Sequence, residues 1–302
     1  MDTDCTLKQP VGVRCPASMS RRRHTMELHL PEGHRRALEA HCRRTGESAS
    51  HVLRAALSDY LDLEHHTLWQ VSTSTAVVEG VSQGCLRVGE LARHGDFGLG
   101  TFDHLDGEGV LLEGECWQAR ADGSLSRAPD EELTPFFVVT HFHSDQQHQF
   151  EQVTSWADLC NRLDALRPSD NLFMAIRVRG MLDRIEVRTV SAVETGTELE
   201  AAAAVQTVFD HHNLSGTLVG FWSPSYVSSL NIPGYHFHFL SDDRHCGGHV
   251  LENGAVKAGQ LTVDLHLESE LRVALPQTRD FLEADLSRDP SEALARAEAK
   301  SF

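Results

Sequence analysis

The sequence predicts an α+β protein in two parts, a small strand-helix-helix segment followed by a large region dominated by strands. Up to residue 64, one alternating run of apolar residues precedes two stretches with helical spacing, whereas beyond that point strand-like runs outnumber helical ones. Charge divides at the same place, because residues 1–64 hold 10 Lys and Arg against 9 Asp and Glu, and the remainder holds 17 against 35. The formal net charge of -17 therefore lies almost entirely on the larger region, which should repel nucleic acid.

The N-terminal part begins with a polar stretch and then one short strand. Residues 1–23 include the run Arg21 to Arg23 and few apolar residues, so we predict that they are disordered. From Thr25 to Leu30 apolar and polar residues alternate, which is typical of a strand with one apolar face. Pro31 should end this strand, since proline lacks a backbone N–H and suits the first turn of a helix.

Two amphipathic helices should follow this strand. The first is predicted over Glu32–Arg44, where Gly46 would end it. The second is predicted over His51–Leu63, with Ser48 as its N-cap. One strand and two short helices cannot bury their own apolar faces, so residues 24–64 should need a second copy of themselves.

Residues 24–64 resemble a ribbon-helix-helix domain, in which two copies pair their strands into an antiparallel ribbon. The resemblance rests on the strand that ends at Pro31, on the sequence Thr-Gly-Glu-Ser-Ala-Ser between the helices, and on the spacing of the second helix. It implies a homodimer whose outward strand residues face a DNA groove and whose second helix begins near a phosphate. The candidate DNA-facing residues are Thr25, Glu27, His29 and Ser48. Glu27 would be repelled by phosphates, so dimerisation without DNA binding and a helical extension packed on the larger region are the alternatives.

The cysteines indicate a reducing compartment. Seven are scattered, at positions 5, 15, 42, 85, 116, 160 and 246, without a Cys-x-x-Cys pair. Neither a disulfide framework nor a cysteine zinc site is indicated. No apolar run approaches the ~20 residues of a membrane span, and no signal peptide is recognisable at the N-terminus. We therefore expect a cytoplasmic protein without membrane contact.

The larger region, residues 65–302, has the pattern of mixed strands and helices without repeats. Strands are predicted over Val71–Val78, Gly109–Leu112, Phe136–Thr140, Phe173–Val178, Ile185–Val190, Gly216–Phe221 and the histidine-rich segment described next. Helices are predicted over Ser155–Leu166 and Asp285–Ala299.

The segment Gly234–Leu251 spaces its histidines as a metal-binding β-hairpin would. Side chains alternate between the faces of a strand, so His236 and His238 should share one face, while the aromatic residues beside them take the other. Turn-forming residues 241–248 would let a returning strand bring His249 opposite this pair. Three imidazoles with a fourth position open are typical of a catalytic zinc site, and a half-buried strand with ordinary histidines is the alternative.

Other polar groups are weaker candidates. Residues 141–148 repeat the His-x-His spacing and would be a credible metal site in isolation. The pairs His65–His66 and His211–His212 are interpreted as solvated histidines. Gly95–Gly100 lacks the arrangement that cradles a phosphate and should serve tight turns instead.

Seven motifs stand in one order along the larger region: Trp69–Thr73, Gly95–Glu108, Thr134–Phe136, Asn171–Arg177, Val187–Val190, Gly216–Phe221, and Pro233–Phe239 with Gly247–His249. Together they make residues 67–299 resemble acetolactate decarboxylase, a family that converts 2-acetolactate to acetoin and carbon dioxide. Seven motifs in the order of the family are a specific signal, which a lone His-x-His is not.

The resemblance implies a mixed-sheet fold, the substrate 2-acetolactate, and zinc-dependent decarboxylation through a metal-stabilised enediolate. Its zinc ligands fall on His236, His238 and His249, its catalytic residues on Glu108, Arg188 and, in the C-terminal tail, Glu298, and its pocket-lining positions on Thr101 and Leu105. Losing carbon dioxide leaves negative charge on two neighbouring oxygens, which zinc and Arg188 would stabilise. The two glutamates are candidates for delivering the proton.

Two functions of other classes compete with this one. A DNA-binding regulator could use a decarboxylase-like domain to sense acetolactate or acetoin, although retention of Glu108 and Arg188 with the histidines argues against an inactive sensor. A three-histidine oxygenase would instead require iron and oxygen.

Overall fold

A computed structural model describes residues 28–61, 66–252 and 254–298, without the side chains of Asp59, Leu61 and Glu298. The helices are α1 Glu32–Thr45, α2 Ala49–Leu61, α3 Ser74–Val78, α4 Val88–Leu91, α5 Trp156–Asp164, α6 Leu199–Ala204, α7 Arg279–Glu283 and α8 Ser291–Glu298. The strands are β1 Thr67–Val71, β2 Leu86–Arg87, β3 Phe97–Thr101, β4 Glu108–Leu112, β5 Glu115–Ala119, β6 Leu125–Arg127, β7 Leu133–Thr134, β8 Phe137–Thr140, β9 Gln146–Val153, β10 Phe173–Thr189, β11 Thr207–Ser223, β12 Gly234–Ser241, β13 Gly247–Val250, β14 Val256–Glu268 and β15 Glu270–Ala274.

Two large sheets form the body of the protein. The first has seven strands in the order β15-β1-β8-β3-β4-β5-β6, and the second has six in the order β11-β12-β13-β10-β14-β9, with β10 also paired to β11. The pair β1–β15 is parallel and the neighbouring pair β1–β8 is antiparallel. The α+β class and the mixed sheet are therefore confirmed in the described part of the chain.

The two sheets pack face to face. Leu99 and Val110 of the first sheet share one buried cluster with Val219, Phe221 and Leu240 of the second. On the outer side of the second sheet, apolar residues of α5 pack on aromatic side chains of β12. This packing places β4 of the first sheet against β12 and β13 of the second, so residues at the start of β4 lie beside the histidine hairpin.

One predicted strand of the larger region is wrong, and one predicted helix begins later than expected. The run Val71–Val78 is not one strand, because β1 ends at Val71 and α3 begins at Ser74. Thr73 caps this helix, its side chain accepting a hydrogen bond from the Ala76 N–H at 3.2 Å. Burial of all five helix residues together with this cap outweighs the strand preference of β-branched residues. The C-terminal helix predicted from residue 285 begins only at Ser291.

The two N-terminal helices are confirmed. Gly46 ends α1 with a φ of 82°, and Ser48 caps α2, accepting from the His51 N–H at 3.1 Å. The predicted strand 25–30 is not confirmed: residues 28–30 carry no strand pairing, and a ribbon strand can pair only with a second copy. His29 is exposed, whereas the stretch 1–23 with Thr25 and Glu27 lies outside the described residues.

Among the helices of the described ranges, none is long and apolar enough to cross a membrane. The described cysteines, Cys42, Cys85, Cys116, Cys160 and Cys246, are all free thiols.

Candidate active site

Three histidines converge on the face of the second sheet that is turned toward the first. His236 and His238 lie on the same face of β12, and register pairs His238 with His249 on β13. The aromatic neighbours Tyr235 and Phe237 belong to the apolar cluster on the opposite face. The hairpin and its alternation were predicted from the sequence, and both are confirmed.

The ring nitrogens of these histidines are spaced for a tetrahedral ion. Nε2 of His236 lies 3.2 Å from Nδ1 of His249, which lies 3.3 Å from Nε2 of His238. Zinc–nitrogen bonds of about 2.0–2.1 Å at tetrahedral angles place ligand nitrogens about 3.3 Å apart. All three side chains are buried, so the residues present fit a zinc ion.

The environment favours the neutral form of His238 and His249. Burial lowers the pKa of His238 well below the ordinary value, and His249 and Arg188 act in the same direction. The pKa of His249 is also well below the ordinary value, mainly because the ring is buried and secondly because Arg188 is positively charged. Nδ1 of His238 donates to the Gly109 carbonyl oxygen at 2.8 Å, which leaves the Nε2 lone pair facing the other two rings. Neutral imidazoles fixed by such a bond are the form that binds metal ions.

A buried arginine and a buried glutamate flank the three rings. Arg188 lies opposite His249 in the β10–β13 register, so both side chains point to the same side of the sheet. Glu108 reaches this place from β4 of the other sheet, with Oε2 3.5 Å from His238 Nε2 and Oε1 3.8 Å from Arg188 Nη1. The family resemblance implied both residues, and the structure brings them together with the histidines.

The loop before Glu108 shapes one wall of the pocket. Gly107 has a φ of 89°, and a Cβ there would lie 2.2 Å from the Ala119 carbonyl oxygen, so only glycine fits. The Thr101 hydroxyl donates to the Gly107 carbonyl at 2.7 Å. Thr101 and Leu105 both line one cavity together with Glu108, Arg188 and the three histidines.

A sequence model of the family described as "Alpha-acetolactate decarboxylase" matches residues 68–288. The chain belongs to this family. Alpha-acetolactate decarboxylase of Methylococcus capsulatus is 41% identical over 250 residues, which cover 82% of this chain and 95% of the relative. The enzyme of that name from Methanosarcina mazei is 40% identical over 76% of this chain and 80% of its own length. The crystal structure of the Bacillus subtilis enzyme superposes with a TM-score of 0.74 at 32% identity, covering 78% of this chain and 100% of that one. Helices α1 and α2 lie outside the family match.

The remaining walls of the pocket are apolar, and the sequence did not identify them. Val77, Phe136, Val190, Leu199 and Ile232 line the cavity from α3, α6 and connecting segments. Single apolar residues far apart in sequence carry no local signal of a shared pocket. Phe136 and Val190 lay within motifs that resemble the family, but neither was identified as a pocket residue.

Helix α8 lies behind this apolar wall. Its Leu294 is buried against Val78 and Ile232, and Ile232 also lines the cavity. Glu298 is the last residue of α8, and its side chain lies outside the described part, so its predicted place in the site stays a prediction.

The competing histidine groups have different outcomes. None of the histidines of segment 141–148 belongs to a described cluster with metal-binding spacing. His212 is exposed, as predicted. The prediction that His66 is solvated is wrong, because His66 is buried.

Proposed function

We propose that this chain converts 2-acetolactate to acetoin and carbon dioxide, with a zinc ion held by His236, His238 and His249. The observation that carries the proposal is the convergence of three buried imidazoles with Glu108 and Arg188 in one cavity. The test is incubation of purified, zinc-loaded protein with 2-acetolactate under nitrogen, with acetoin and carbon dioxide measured. No acetoin would overturn the proposal, and a requirement for iron and oxygen would favour the oxygenase.

Zinc, when bound, supplies a Lewis acid that stabilises negative charge on the hydroxyl and keto oxygens of the substrate. In decarboxylation, the bond between the carboxylate and C2 breaks, and its electron pair passes to the keto oxygen. The Arg188 guanidinium is positioned to hold the carboxylate before this step and to stabilise the enediolate charge after it. The buried setting strengthens this interaction, since little water competes for the charge.

The enediolate must then take a proton on carbon. Glu108 is the candidate donor in the described part of the site, because its carboxyl group lies beside both His238 and Arg188. Glu298 is the second candidate, since α8 packs behind the pocket wall. The apolar walls suit the two methyl groups of 2-acetolactate and exclude water that would protonate the enediolate without steric control.

Arg188→Lys tests the role of the guanidinium. Lysine keeps the charge and loses the planar pair of donors, so we expect turnover to fall about 100-fold while the zinc content is unchanged. Steady-state kinetics and metal analysis measure the two quantities. Arg184→Lys is the matched control, because Arg184 lies on the same strand and pairs with exposed Asp210. Equal kinetics in the two variants would show that Arg188 does not contact the substrate.

We also propose that the N-terminal helices join two copies of the chain, as the ribbon-helix-helix resemblance implies. Supporting this, Leu28, Leu57 and Tyr60 are 58, 54 and 86% exposed, so these three hydrophobic side chains are not covered within one chain. The cytoplasmic location likewise stays a proposal, supported by the free thiols of the described cysteines.

Leu57→Glu should weaken this contact, because it places a charge in the apolar patch. We expect the mass of the assembly to fall in light scattering at micromolar concentration, with decarboxylation retained. Leu282→Glu is the control, since Leu282 is 70% exposed on α7, outside the segment. An assembly of unchanged mass would contradict the dimer proposal.

DNA binding is tested on the same proteins by gel shift. A groove-reading dimer should bind DNA with an affinity that falls steeply with salt and falls when Arg21 to Arg23 are neutralised. A dimer indifferent to DNA would leave only the assembly role. DNA binding that responds to acetolactate without turnover would favour the regulator.

A further inference from the structure

A second group of buried imidazoles and carboxylates lies where α2 meets the larger region. We call it the junction cluster, and it consists of His51, Asp145, His66, His266 and Glu268. His266 and Glu268 are completely buried on one face of β14, and His66 stands just before β1. None of these residues lines the cavity of the candidate active site.

Each of the two central imidazoles, His66 and His266, has its Nδ1 atom beside an oxygen atom. Nδ1 of His66 donates to the Leu267 carbonyl oxygen at 2.5 Å, so Nε2 carries the lone pair. Nδ1 of His266 lies 3.2 Å from Asp145 Oδ2, and Nε2 of the same ring points toward Glu268, 3.6 Å from Oε1. An imidazole that donates one N–H to a carbonyl or carboxylate oxygen presents the other nitrogen as a ligand with fixed orientation.

Asp145 has the role of an orienting group in this cluster. Besides His266, its carboxylate accepts from the Leu267 N–H at 3.1 Å and from the Arg54 guanidinium of α2. His51 of α2 lies 3.7 Å from the same carboxylate. Asp145 thus has its acceptor positions used by other groups, and the carboxylate grouped with both imidazoles is that of Glu268.

Glu268 is the residue that requires an explanation. Its side chain is fully buried, its polar neighbours are the Thr140 hydroxyl and His266, and neither carboxylate oxygen makes a hydrogen bond of normal geometry with a described residue. A buried carboxylate is costly unless a cation or several donors accompany it. The ligand atoms of His66, His266 and Glu268 lie within 4.8 Å of one another, close enough to share one ion.

We propose that His66, His266 and Glu268 bind a divalent transition-metal ion, with zinc as the ion to test. Two imidazoles and one carboxylate form a donor set typical of zinc and related ions. The ion would join the start of β1 to the end of β14. Because His266 also contacts Asp145, the ion would hold in place the carboxylate that pairs with Arg54 of α2. The site is separate from the candidate active site, so it is the second metal position of the chain.

Metal stoichiometry of the full chain tests the proposal. Protein loaded with zinc and dialysed should contain about two zinc ions per chain, and Glu268→Gln and His66→Gln should each contain about one. Glu270→Gln is the matched control, because Glu270 lies two residues further on with its side chain 58% exposed, and it should retain two. The proposal would be overturned if Glu270→Gln lost as much zinc as Glu268→Gln. It would also be overturned if the wild-type chain held one zinc ion and Glu268→Gln still held that ion.

His238→Ala separates this site from the active site. This variant should retain about one zinc ion, and that ion should be lost when Glu268→Gln is added. A His238→Ala chain without zinc would overturn the junction site even if the cluster variants do not fold. Protein that binds zinc only through the junction cluster and makes no acetoin would support this inference while contradicting the proposed function.

Discussion

His238→Ala is expected to remove both the active-site zinc and the decarboxylase activity. Its ring lies opposite His249 in the hairpin register and is 1% exposed, so no solvent ligand can take its place without rearrangement. Losing the ion removes ~4 kcal/mol or more of charge stabilisation from the transition state, which corresponds to about a 10³-fold lower turnover. Steady-state kinetics and metal analysis after chelator dialysis measure the two losses.

The control for this prediction is His212→Ala, a histidine whose side chain is 56% exposed on β11. This variant should retain both metal and turnover. Thermal unfolding with and without zinc separates loss of the site from loss of the fold. A folded His238→Ala chain should still unfold cooperatively, and added zinc should raise its unfolding temperature by less than that of the wild-type chain, because one of the two proposed metal sites is lost. A His238→Ala protein with wild-type turnover would show that the three histidines do not form the catalytic centre.

Strand geometry explains why the histidine hairpin could be predicted. A period of two fixes His236 and His238 on one face, and a turn-rich sequence before His249 predicts a return strand. Both inferences use residues within 16 positions of one another, and the structure confirms them in the β12–β13 register. Local geometry alone was sufficient for this part of the site.

Glu108 and Arg188 show where local reasoning ends. Glu108 comes from the other sheet and meets His238 only because the two sheets pack face to face. Without the family resemblance, Arg188 would read as one charge on an ordinary strand, since its partner His249 is set by a long-range register. Contacts between residues that are distant in sequence depend on tertiary packing, and the spacing of residues within one segment does not determine that packing.

His66 and the segment Ser74–Val78 were misread for the same reason. A His-His pair in a polar stretch looks solvated, yet β14 and the Leu267 carbonyl cover His66. The β-branched run at 74–78 looks like a strand, yet all five residues are buried in a short capped helix. In both places long-range burial overrode the local preference.

Glu108→Gln is expected to separate metal binding from proton transfer. Glutamine has the same shape and keeps a polar group beside His238, so the zinc content should stay at the wild-type level. The amide cannot cycle a proton, and we expect turnover to fall about 10²–10⁴-fold, the range typical of losing a positioned acid or base. Stopped-time assays of acetoin release measure this loss, and Glu115→Gln is the control, because Glu115 is exposed at the start of β5.

The product gives the sharper measurement. In heavy water, acetoin gains one deuterium at the carbon that lost carbon dioxide, and the wild-type enzyme should deliver it to one face. If Glu108 delivers the proton, the residual product of Glu108→Gln should contain both enantiomers, because solvent then reaches the enediolate from either side. If Glu108→Gln is slow but its product is still a single enantiomer, another group delivers the proton. Glu298 would then be the next residue to substitute. Loss of zinc from Glu108→Gln would instead identify Glu108 as a ligand, since its carboxylate lies 3.5 Å from a ligand nitrogen of His238.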